Sequence, residues 1–67
     1  MPVAKVSEIS ASSSVSFDDA VAQGISRAHK TLKNITGAWV AEMKVDVTDG
    51  EITTYRVNMK VTFILAD

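Results

Sequence analysis

Residues 16–35 read Ser-Phe-Asp-Asp-Ala-Val-Ala-Gln-Gly-Ile-Ser-Arg-Ala-His-Lys-Thr-Leu-Lys-Asn-Ile, the one stretch of the chain with a helical period. Phe17, Val21, Ile25, Ala28, Leu32 and Ile35 recur at steps of three and four, so an α-helix would carry all six on one stripe. Asp18, Gln23, Arg27, Lys30 and Lys33 take the opposite, water-facing side. Ser16 is placed to cap the first turn by accepting from the exposed backbone N–H groups, and Asp19 at the third helical position makes a capping box with a shorter side chain than the usual glutamate. Acidic residues in the first turn and Lys30 and Lys33 near the end both oppose the helix macrodipole. Gly37 follows the last apolar residue of the stripe and is expected to end the helix in the left-handed conformation. Gly24 costs about 1 kcal/mol relative to alanine in mid-helix, which predicts close approach of a neighbouring backbone there.

On either side of this helix the pattern is that of β-structure. Residues 3–9 alternate imperfectly as a short strand, with Pro2 at its start, where a missing N–H does least harm. Residues 10–14 form a serine-rich connection that supplies the helix cap; the run lacks the glycines and lysine of a phosphate-cradling loop. Residues 38–48 read as a second strand, Asp49-Gly50 as a two-residue hairpin turn, and residues 51–65 as a third strand. The predicted fold is α+β, a β-α-β-β chain whose three-stranded antiparallel-type sheet wraps one amphipathic helix. The first strand is expected to pair with the last.

A two-residue turn sets Thr48 opposite Glu51 and fixes which residues share a face. Tyr55, Val57, Met59, Val61, Phe63 and Leu65 join Ala38 and Val40 against the helix. Trp39, Met43, Val45 and Val47 are then expected on the outer face with Ile52, Arg56, Asn58, Lys60 and Ile64. A mixed apolar outer face with a tryptophan is rarely left bare in a monomer.

Composition supports the same expectation. A chain of 67 residues reads as a single domain, 1–67. Such a chain buries only about 60% of its unfolded surface. Without cysteine it has neither disulfides nor thiolate metal sites, and one histidine does not build a histidine-rich one, so self-association is the expected source of further burial. A net charge of −1 leaves no basic footprint for nucleic acid. No apolar run approaches a membrane span, and Lys5 and Glu8 interrupt any secretory leader, so a cytoplasmic protein is expected. No second histidine, cysteine or serine–base pair forms a catalytic constellation, and the chain is not expected to be an enzyme.

The chain resembles the dodecin family. The resemblance is carried by Val6-Ser7-Glu8-Ile9, by the helix from Ser16-Phe17-Asp18-Asp19-Ala20 to Arg27-Ala28-His29-Lys30-Thr31-Leu32-Lys33-Asn34, and by Tyr55-Arg56-Val57-Asn58-Met59-Lys60-Val61-Thr62-Phe63. Length and element order match, so it spans nearly the whole chain. The resemblance implies a hollow homododecameric shell that stores or buffers a flavin, riboflavin or FMN, in stacked pairs between tryptophans at subunit contacts. Some dodecin-like proteins are associated with calcium instead. The family's stacking tryptophan would fall on Gly37 and its flavin-bonding glutamine on Arg56, so both diagnostic positions are changed.

Gly37, Trp39 and Arg56 are therefore the candidate ligand-binding residues. Trp39 reads either as a displaced stacking platform or as filler of an inter-subunit contact. Arg56 reads as a partner for a ligand phosphate or carbonyl, or for Glu42 or Asp46. His29 beside the stripe reads as a partly buried structural group. Asp46, Asp49 and Glu51 near the hairpin read as solvated turn residues or as hard oxygen ligands for calcium or magnesium. Two functions fit these residues: a shell holding a flavin or similar aromatic molecule, or a structural shell that has lost flavin and binds an ion or another partner.

Overall fold

The computed structural model describes residues 3–65, so the expectation for Pro2 lies outside the described residues. The elements run in the expected order: β1 (Ala4–Ser13), α1 (Phe17–Ala28), β2 (Ile35–Thr48) and β3 (Glu51–Ile64). The sheet order is β1-β3-β2, with β3 antiparallel to both neighbours, so the first strand does pair with the last.

The start of the helix is as its residues dictate. Ser16 is extended, and its hydroxyl accepts from the Asp19 N–H at 3.0 Å. Asp19 does not reach back to the Ser16 backbone. Its carboxylate instead accepts from the Ser13 hydroxyl at 2.6 Å and from the Gln23 amide. Ser13 also accepts from the Val15 N–H at 2.9 Å, so this buried serine knots the end of β1 to the helix cap. The serine run is therefore partly strand: residues 10–13, expected in a loop, pair with β3 from Asn58 to Tyr55.

The helix ends earlier than its apolar stripe. α1 stops at Ala28, turn-type bonds carry the chain through residues 29–32, and Asn34 takes the left-handed conformation (φ 64°). Asparagine tolerates that region better than other non-glycine residues. The Asn34 carbonyl then accepts from the Ile64 N–H at 3.0 Å, and β2 begins at Ile35 opposite Phe63. Gly37 is thus a strand residue and not the helix terminator. Leu32 and Ile35 still pack against the core although neither is helical.

The helix lies across β1 and β3 and hardly reaches β2. Among the described residues the buried apolar side chains are Ala20, Ala28, Val57, Met59 and Val61, flanked by Ile9, Ala11, Phe17, Val21 and Ile25. Gly24 is explained here. A Cβ at this position would sit 2.5 Å from Met59 Cε and 3.0 Å from Ala11 Cβ. The close neighbours are side chains of β3 and β1, not the expected backbone. Phe17 and Tyr55 meet edge to face at 5.1 Å and close the other end of the core.

The hairpin turn is as predicted, with Asp49 and Gly50 both at positive φ and Thr48 opposite Glu51. Beyond it the register is interrupted. Val47 pairs with Ile52 but Asp46 with Thr54, so Thr53 is extra on β3. Glu42 pairs with Asn58 but Val40 with Met59, so Ala41 is extra on β2. Such bulges insert an unpaired residue and re-aim the side chains beyond it. Directly opposed residues of an antiparallel pair share a face. Met43 opposite Val57 and Val45 opposite Tyr55 therefore belong to the helix side, which corrects their expected place on the outer face. The outer face is more polar than anticipated. The uncovered apolar surface lies instead beside the helix, where Val40 and Met43 are 44% and 57% exposed.

Candidate functional site

The outer face is organised in cross-strand rows set by β3. Val6, Thr62 and Gly37 form one row; Glu8, Lys60 and Trp39 the next; then Ser10, Asn58 and Glu42; then Ser12, Arg56 and Lys44. The Ser10 row is tied together by its side chains. Ser10 donates to Asn58 Oδ1 at 2.6 Å, which leaves the Asn58 amide nitrogen to donate to Glu42 Oε1 at 3.1 Å. Asparagine's acceptor and donor ends are thus both used, and the bond chain spans three strands.

Arg56 is engaged diagonally by Asp46. Arg56 Nε donates to Asp46 Oδ2 at 2.9 Å, and a terminal guanidinium nitrogen lies 2.8 Å from the same oxygen. The hydrogen bond from Arg56, with its charge behind it, holds the Asp46 carboxyl below its ordinary value, and the carboxylate raises the guanidinium further above its own. Because the Asp46 pKa is lowered in the folded state, the pair's contribution is present above pH 3.8, the ordinary aspartate value, and is lost as the pH falls through the depressed folded value. The melting-temperature gap between wild type and Asp46→Asn is therefore expected at pH 7 and should close on acidification below pH 3.8. A gap of constant size far into the acid range would mean that the pair does not stabilise the folded chain.

Gly37, Trp39 and Arg56 share the outer face but are not brought together within one chain. Gly37 stands opposite Thr62, Trp39 opposite Lys60 and Arg56 opposite Lys44. The residue spacing along β3 separates Arg56 from the Trp39 row by about 13 Å. Trp39 is 61% exposed. Nothing lies within 4 Å of a Cβ built on Gly37, so the surface beside the indole is open. A flat aromatic molecule has room to lie there, and tryptophan offers it a large π-face. Of the other candidates, His29 caps the end of α1 and is exposed, which corrects its expected partial burial; Asp49 sits in the turn and Glu51 is exposed at the start of β3. Among the described residues no three His, Asp or Glu side chains are grouped to hold a metal. No helix of the described residues is long and apolar enough to cross a membrane.

Three features lie outside the sequence-based expectations. The Ser10–Asn58–Glu42 network is hidden by the Thr53 bulge, which shifts Glu42 from opposite Val57 to opposite Asn58. Lys60 opposite Trp39 was within reach, because counting outward from the Thr48–Glu51 pair leads to it. A groove of about 520 Å³ also opens between α1 and β1, floored by Ile9, Ala11, Gly24 and Ala28 and edged by Gln23 and Arg27. Neither Trp39 nor Gly37 lines it.

The family model for dodecins matches residues 3–66. The chain belongs to the dodecin family. Solved structures agree across its length. A dodecin from Streptomyces davaonensis is 35% identical and superposes at a TM-score of 0.94 over 98% of this chain and 97% of its own. A dodecin from Streptomyces coelicolor is 26% identical at a TM-score of 0.93, over 98% of this chain and 94% of its own. A calcium-chelating immunodominant antigen of Mycobacterium tuberculosis, described as a calcium dodecin with a novel calcium-binding site, is 34% identical at a TM-score of 0.82, over 96% and 91%. No curated protein sequence matches the chain significantly. The dodecin fold thus presents here a bare tryptophan at one end of its outer sheet face and a closed Arg56–Asp46 pair towards the other.

Proposed function

We propose that the chain is a single-domain subunit, residues 1–67, of a hollow homododecameric shell that binds and buffers a flavin of the riboflavin or FMN class, or a similar aromatic ligand, at its subunit contacts. It would act in the cytoplasm as a binding and storage protein, without catalysis. The observation that carries this reading is Trp39, 61% exposed on the outer face with open space at Gly37 beside it. Trp39 is the stacking platform, Gly37 leaves room for the ring system, and Arg56 lies on the same face as a contact for a ligand reaching across from a neighbouring subunit. The flavin, when bound, supplies the chromophore and redox-active ring; the residues named here hold and shield it.

A second reading is favoured by the state of Arg56. Its guanidinium is committed to Asp46, so a ligand must break that pair to use it. A structural shell that has lost flavin, and that takes calcium or another partner where subunits meet, fits this observation.

Titration of ligand-stripped protein into flavin, followed by quenching of flavin fluorescence, separates the two. Saturable quenching at micromolar concentration that falls at least tenfold in affinity in Trp39→Ala is the expected result. Quenching unchanged by Trp39→Ala would remove Trp39 from the site. No quenching by wild type, together with strong quenching by a Gly37→Trp, Arg56→Gln variant, would establish the second reading.

A further inference from the structure

We propose that Lys60 gives the Trp39 platform a preference for flavins that carry a phosphate over those that do not. This deepens the reading of Trp39 as a stacking platform and rests on it. The register sets Lys60 directly opposite Trp39 across the β2–β3 ladder, on the same face. Side chains so opposed start about 5 Å apart at Cβ. Both residues are exposed. Lysine is a compact charge on a flexible stem, able to follow the end of a substituent rather than one fixed position. A ring lying on the indole therefore has an ammonium group within reach of whatever its side chain carries.

The other charges nearby are largely occupied. Arg56 is held by Asp46, and Glu42 accepts from Asn58. Among the described residues Lys60 forms no ion pair within 4 Å. Its competitor is Glu8, which stands opposite Lys60 on β1 and ends the same row. Glu8 is exposed, so its carboxylate can stay in water while Lys60 turns to the ligand, but it also repels an arriving phosphate. The row Glu8–Lys60–Trp39 thus contains one group that attracts an anion, one that opposes it and one that holds the ring.

The test compares FMN with riboflavin, which differ by the phosphate, in the quenching titration at low and at high salt. Wild type is expected to favour FMN by about fivefold at low salt, the scale of one exposed charge contact, and to lose much of that preference as salt screens it. Lys60→Gln should abolish the preference while leaving riboflavin affinity within about twofold, and Lys60→Glu should reverse it. Glu8→Gln should widen it. Sedimentation of each variant confirms that its assembly matches wild type. A preference that survives in Lys60→Gln, or equal binding of the two flavins by wild type, overturns the role of Lys60 while leaving the Trp39 platform standing. Binding of neither flavin overturns the platform, and the role of Lys60 with it.

Discussion

Replacing Met59 with alanine is expected to cost the folded chain about 2–5 kcal/mol, the range for truncating a buried long apolar side chain. Met59 is fully buried and lies at the centre of the small core, opposite Ile9 on β1 and Val40 on β2, under the helix at Gly24. A protein of this size has a total stability of several kcal/mol, at roughly 0.05–0.15 kcal/mol per residue, so the loss is a large share of the whole. The same site predicts a coupling. Gly24→Ala in the wild-type background gains about 1 kcal/mol of helix propensity and loses about 1–3 kcal/mol to overpacking against Met59 and Ala11. With Met59 already cut to alanine, the nearest clash with the new Cβ is gone while Ala11 Cβ at 3.0 Å remains, so Gly24→Ala should cost less than it does in the wild-type background. Denaturant unfolding of the two single variants and the double variant measures this directly. Strict additivity would mean that the methionine end does not set the need for glycine.

The native chain is expected to sediment as a particle of about 86 kDa, twelve copies of 7.2 kDa, and not as a folded monomer. The physical reason is the shape. The molecule measures 51 × 19 × 13 Å, too thin to shield much apolar surface by itself. Trp39, Val40, Met43, Val47 and Ile52 are each between 44% and 61% exposed. Partners that bind only the folded state stabilise it by mass action, so the melting temperature should rise with protein concentration where subunits dissociate. Replacing Val40 and Met43 with acidic residues should shift the mass sharply downward, because these two lie beside the helix in the surface it fails to cover. A stable, fully folded 7.2 kDa species at micromolar concentration would remove the basis for a shell.

Most of the fold was legible because its strongest signals are local. The Ser16 cap, the Asp49-Gly50 turn and the period-two alternation of β3 each act over a few residues, and each is found where its chemistry places it. The end of the helix was not legible, because Leu32 and Ile35 continue the helical spacing of apolar residues. That spacing reports burial, and both side chains are half-buried against the core from non-helical backbone. Asn34, which turns the chain, competes in the sequence with a glycine three residues later that looks better suited. The faces of Met43 and Val45 were lost at Ala41 and Thr53, which carry no residue type that announces a bulge. Trp39, by contrast, kept its expected face because one extra residue on each strand cancels in the count.

The bulge at Ala41 also determines how this chain can be compared with its relatives. An extra residue inside a strand is a phase slip: on either side of it, odd and even positions exchange meaning. A relative whose β2 lacks the slip has one residue fewer for the same sequence of faces. Lining the two up without a gap would match a helix-facing side chain to a water-facing one for part of the strand, and would transfer roles to the wrong residues. The gap belongs in the middle of a regular-looking strand, not in the turn, where gaps are customarily placed. Substitutions inferred along β2 are thus meaningful only after the stretches before and after Ala41 have been aligned as separate units, with Thr36 marking a further slip at the start of the strand, where Ile35 pairs with Phe63 but Gly37 with Thr62.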